Sequence, residues 1–91
     1  MSGATFRAQI SDGGGWHLYV ALPNTSRMWP EWEWPRGIPT PTLAERDEAL
    51  AALGYEVVPG AEWDWCEDSD GPGSPVRLLA AVAVRRAGGA T

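Results

Sequence analysis

Apolar and polar residues begin to alternate at Thr5. Phe6, Ala8 and Ile10 share one phase and Arg7 and Gln9 the other, the period of two that marks a half-buried strand. The alternation resumes after Asp12-Gly13-Gly14-Gly15, with Trp16, Leu18, Val20 and Leu22 on one phase against His17, Tyr19 and Ala21. Three successive glycines tolerate the positive φ of a tight turn, so the two runs predict a β-hairpin.

Residues 23–41 break the pattern. Pro23, Pro30, Pro35, Pro39 and Pro41 fall in this stretch, and proline cannot donate to a strand ladder. Trp32 and Trp34 lie on one phase within it and Glu31 and Glu33 on the other, which predicts a short edge strand or an extended segment held by its Trp rings.

Thr42-Leu43-Ala44-Glu45 has the form of a capping box, and Pro41 discourages an earlier helix start. A helix is expected over 43–53, with Leu43, Arg46 or Asp47, Ala49, Leu50 and Leu53 as its inner stripe and Gly54 as a left-handed C-cap. Strands are expected at 55–58, at 61–66 with Trp63 and Trp65 on the helix side, and at 76–85. The last of these is apolar on nearly both phases, which predicts a central position in the sheet.

Assembled in order, these elements predict an α+β fold. It is a two-layer sandwich with an antiparallel sheet of about four strands, in the order β-β-α-β-β, and one helix on one face. One domain is expected over 1–91, with an ordered core at about 4–86, a Trp/Pro-rich loop at 23–41 and a flexible tail at 87–91.

Charge narrows the possible partners. Twelve Asp and Glu against seven Arg and no Lys give a net charge of −5, the opposite of what phosphate neutralisation requires, so nucleic-acid binding is not expected. No apolar run is long enough to span a membrane, and the opening MSGATFRAQI lacks the basic and apolar regions of a signal peptide. A single cysteine, Cys66, cannot close an intramolecular disulfide. Together these features predict a cytoplasmic protein.

Catalytic and metal chemistry is hard to assemble. His17 is the only histidine and reads as a half-exposed strand residue, since a general base or metal ligand needs partners. Cys66 lies among Asp64, Glu67 and Asp68 rather than in the basic surroundings that favour a thiolate. Aligned on Gly71 as a calcium loop, residues 66–77 place Cys66 and Arg77 at the first and last ligand positions, where oxygen ligands are required. Gly13 to Gly15 is followed by neither Lys nor a helix, so it is no phosphate cradle. No enzyme activity, cofactor or metal is expected.

The sequence resembles a family of small uncharacterised actinomycete proteins of the Streptomyces type, a domain of unknown function. Three segments carry the resemblance: Trp16 to Leu22; Pro41 to Asp47 with Ala49 to Tyr55; and Gly60-Ala61-Glu62-Trp63-Asp64-Trp65. The resemblance implies an actinomycete cytoplasmic protein and transfers no catalytic residue.

The sheet face away from the helix is the expected functional surface. Tyr19 and Leu79, with Trp32 or Trp34 from the loop, would form an apolar centre, rimmed by Glu62 and Asp64, which is the usual anatomy of an interface. The expected function is a small acidic, non-enzymatic protein-interaction or regulatory module, with a protein partner that includes a second copy in a homodimer. The alternative is a small-ligand or carbohydrate-stacking module built on the loop Trp residues.

Overall fold

A computed structural model describes residues 4–23 and 29–87. Of the expected flexible tail only Ala87 is among them, and residues 24–28 of the expected loop lie outside. The elements are β1 (Thr5–Asp12), β2 (Trp16–Ala21), β3 (Glu31–Glu33), α1 (Leu43–Leu53), β4 (Tyr55–Val57), β5 (Asp64–Asp68) and β6 (Arg77–Arg86).

The expected two-layer sandwich of four strands does not form. The chain is mostly β: six antiparallel strands make one sheet, curled into a half-barrel, with a single short helix. The strand order is β3-β2-β1-β6-β4, and β5 also pairs with β6.

Two local causes raise the strand number. Pro30 and Pro35 bracket β3 without falling inside it, so Glu31 to Glu33 can add to the edge of β2, with Leu18 opposite Trp32. The ladder continues at both ends, where Val20 N–H donates to Pro30 O (3.1 Å) and Trp34 N–H to Trp16 O (3.0 Å).

The second cause lies beyond the helix, where the chain follows one edge of β6 but leaves it midway. Between the pairs Val57–Val84 and Asp64–Ala81, β6 has two residues, Val82 and Ala83, where the opposite chain has six, 58–63. Pro59 and Gly60 (φ 85°) turn the chain outward there, and Ala61 N–H closes the turn on Val58 O at 2.9 Å. The strands expected at 55–58 and 61–66 thus both pair with β6, as β4 and β5.

The inner face carries the core. Ala8 and Ile10 of β1, Trp16, Leu18 and Val20 of β2, Tyr55 of β4, and Ala80, Val82 and Val84 of β6 are buried together with Ala49 and Leu50 of the helix. Nine of these eleven residues are on strands, so the sheet covers much of its apolar face by curling on itself. The helix packs beside β4 and β3, the two ends of the strand path, and buries only Arg46, Ala49 and Leu50. Leu43, expected on its inner stripe, is 60% exposed.

The helix ends are as the sequence predicts. Glu45 N–H donates to Thr42 Oγ1 (3.1 Å) and Thr42 N–H to Glu45 Oε1 (2.8 Å), a complete capping box. Gly54 closes the other end at φ 94°, with its N–H on Ala51 O at 3.0 Å. Thr42→Ala is expected to lower stability by about 0.5–2 kcal/mol. A urea midpoint equal to that of the parent chain would mean the cap contributes nothing.

Candidate functional site

Antiparallel pairing sends opposite residues to the same side of the sheet. The register therefore writes out the outer face in rows. The first row runs Glu33, His17, Ser11, Leu79, Cys66 across β3, β2, β1, β6 and β5. The second runs Glu31, Tyr19, Gln9, Ala81, Asp64, and the third holds Ala21, Arg7 and Ala83. No helix covers these rows among the described residues, since α1 contributes to the inner core.

Tyr19 is half-buried, stacked against Trp29 (centroids 5.6 Å, 26° between planes) and His17 (6.5 Å, 24°). Leu79 is half-buried and Asp64 exposed, both in their expected phase. Glu62 is exposed on the 58–63 excursion and joins Asp64 along an open groove of about 700 Å³. Arg7, Ala21, Trp29 and Ala81 line the same groove. Four of the expected residues, Tyr19, Leu79, Glu62 and Asp64, thus border one surface.

Trp32 and Trp34 do not join it. Pairing Leu18 with Trp32 gives β3 the inner phase at Trp32 and leaves Glu31 and Glu33 on the outer face. Trp34 packs against the core, and Trp32, at the sheet edge, is 38% exposed. Trp29 takes the place expected of them, through its stack on Tyr19. The rim gains two carboxylates and loses two rings relative to the expectation.

The sequence reading missed Ser11. Its Oγ lies 3.0 Å from His17 Nε2, with the direction of donation set by the imidazole tautomer. The signal was present: a hairpin centred on Gly14 pairs residues whose numbers add to 28, hence Ser11 with His17. A serine nucleophile needs its histidine oriented by a third group and an oxyanion site beside it. Glu33 lies opposite His17, yet among the described residues no hydrogen bond joins them. The pair acts as a cross-strand link on the outer face.

Acidic residues near the β5–β6 turn are also engaged. Arg77 Nη2 contacts Asp68 (3.3 Å) and Asp70 (3.2 Å), which raises the Arg77 pKa through those hydrogen bonds. Two carboxylates of the calcium-loop-like stretch thereby serve the turn. Among the described residues no helix is long and apolar enough to cross a membrane.

Residues 4–91 match the model of a family of unknown function, DUF6303. No curated protein and no solved structure matches the chain.

Proposed function

The chain belongs to the DUF6303 family, and from that premise we propose that it is a non-enzymatic protein-interaction module whose outer sheet face receives a partner protein. The observation that carries the reading is the composition of that face. Tyr19 and Ala21 of β2 and Leu79 and Ala81 of β6 lie on either side of a polar middle row, Arg7, Gln9 and Ser11 of β1, without a covering element, and Glu31, Glu33, Glu62 and Asp64 stand around them. Uncovered apolar side chains mixed with hydrogen-bonding groups and ringed by charge are what interfaces present. Arg77 and Arg85 share this face but are paired with Asp68, Asp70 and Glu56, which leaves Arg7 against Glu31, Glu33, Glu62 and Asp64 among the described residues, so the fitting partner has an apolar contact surface with a basic rim.

Self-association is the second reading, favoured by one observation. Arg7 lines the same groove as Glu62 and Asp64, so a two-fold arrangement can set each copy's Arg7 against the other's carboxylates. Ligand stacking on the loop Trp residues has less support, because Trp29 is already stacked on Tyr19 and Trp34 packs on the core. The all-Arg basic set and the resemblance support an actinomycete source, and the lone Cys66 supports a cytoplasmic location.

Tyr19→Glu and Leu79→Glu are each expected to weaken partner capture from a host lysate by tenfold or more, about 1.4 kcal/mol. Ala51→Glu, on the exposed side of the helix, is expected to leave capture unchanged. Sedimentation of the purified chain separates a second copy from a different partner. Equal capture by both face variants and the parent chain, with no dimer in sedimentation, sinks the reading.

A further inference from the structure

On the inner side of the 58–63 excursion, Arg46 is nearly enclosed. Its residue exposure is 7%. The guanidinium lies 5.0 Å from the Trp63 ring centroid and 5.5 Å from that of Trp65, so two indoles flank it. Its Nε donates to Pro41 O (3.1 Å) and, at longer range, to Thr42 O (3.4 Å). Its Nη1 is buried with no hydrogen-bond partner.

No carboxylate neutralises this cation at close range. Among the described residues the ion pairs are those of Arg77 with Asp68 and Asp70 and of Arg85 with Glu56. Burial pushes the Arg46 pKa below its ordinary value, against an opposing effect of Asp47. Aromatic faces attract a cation but accept no strong hydrogen bond in its plane. A buried donor left unmade is costly, more so on a charged group.

The same residues border a cleft. Leu43, Arg46, Ala61, Glu62, Trp63 and Trp65 line a pocket of about 370 Å³. Leu43 and Trp65 are the two large apolar side chains most exposed there, at 60% and 40%. We propose that this pocket binds a small monocarboxylate with a flat apolar body, the carboxylate on the Arg46 guanidinium and the body between Trp65 and Leu43.

Charge selects the class. A guanidinium fork matches a planar carboxylate. Glu62 at the same pocket repels anions in proportion to their charge, which disfavours dicarboxylates and phosphate dianions more than a monocarboxylate. Nη1 is buried, so seating the carboxylate requires one of the two flanking indoles to move, and Trp65, 40% exposed, is the more open of them. This site shares only Ala61 and Glu62 with the outer-face groove and none of the residues tested there, so its failure leaves the interaction reading standing.

Phenylacetate is a suitable probe, followed by the indole N–H resonances of Trp63 and Trp65. We expect saturable shifts with a Kd of about 1 mM or tighter, the range for one charged contact and one buried ring. Phenylacetamide, which has the same body without the charge, and inorganic phosphate are expected to bind at least tenfold more weakly. Arg46→Lys keeps the charge and loses the fork, and should weaken phenylacetate by tenfold or more. Trp65→Ala should do the same, with the dispersion of the remaining amide resonances checking that the fold survives loss of the Trp16 contact. A short peptide ending in phenylalanine presents the same carboxylate and ring. Tighter binding of that peptide identifies a chain terminus as the natural source and supports the site. Absence of saturable phenylacetate shifts, or equal binding of the amide, means Arg46 is an internal packing cation only and overturns the proposal.

Discussion

Trp16→Ala is expected to cost about 3–5 kcal/mol, the largest loss for any single ring in this chain. Trp16 is 6% exposed and sits in the core with Ile10, Leu18 and Leu50. It also meets Trp65 edge to face, with centroids 6.2 Å apart and planes at 84°, a contact that itself contributes about 0.5–1.5 kcal/mol. A domain of this size has about 5–15 kcal/mol in total, so the variant should lose a fifth or more of its stability. Trp32→Ala is the internal comparison. It deletes a ring of equal size at 38% exposure, and should cost well under half as much. Urea denaturation of the two variants decides the matter, and equal losses would contradict the placement of Trp16 in the core.

Leu50→Ala is expected to cost about 2–5 kcal/mol and to release the helix before the sheet. Leu50 has no exposed surface and is the one large aliphatic side chain that α1 buries fully, with Ala49 its small neighbour and Leu53 packed partly buried against the core. Leu43→Ala, at 60% exposure, should change stability by about 0.5 kcal/mol or less. Hydrogen exchange is the sharper measurement. In Leu50→Ala the amides of 47–53 should lose protection while those of β1 and β6 keep theirs. A uniform loss through helix and sheet would show that α1 is integral to one cooperative unit rather than a cover on a self-supporting sheet.

Those two expectations rest on different sources. The helix boundaries, its capping box and its left-handed Gly54 were legible in residues 41–54, because each depends on groups within one turn of the chain. The hairpin and its phases were legible for the same reason: three glycines set the turn, and period two set which side chains share a face. From those phases followed the outer positions of Tyr19, Leu79 and Asp64. The length and apolar content of β6 correctly indicated a central strand, since both of its edges are paired.

The architecture was not legible. Pattern reading assigned the Trp/Pro stretch to a loop or short edge segment, and did not show that Trp32 would face Leu18, which turned Trp32 and Trp34 away from the outer surface. Nor did it show that the strands on either side of Pro59 and Gly60 would both pair with β6, with six residues pushed off its edge between them. Both outcomes depend on which distant strand offers free backbone groups, a property of the assembled sheet.

Local sequence therefore determined the helix, the hairpin and the inward or outward phase of each long strand, because caps, turns and period-two alternation act over a few residues. Tertiary structure decided that six strands curl into a half-barrel, that the helix only covers its open side, and that Arg46 lies between Trp63 and Trp65. Helical spacing puts Arg46 or Asp47 on the inner stripe, but not until the excursion at 58–63 folds two indoles against it is the Arg46 guanidinium seen to be the enclosed one. Long-range pairing and the burial that follows from it are set by the whole chain closing on itself, and no window of neighbouring residues contains that information.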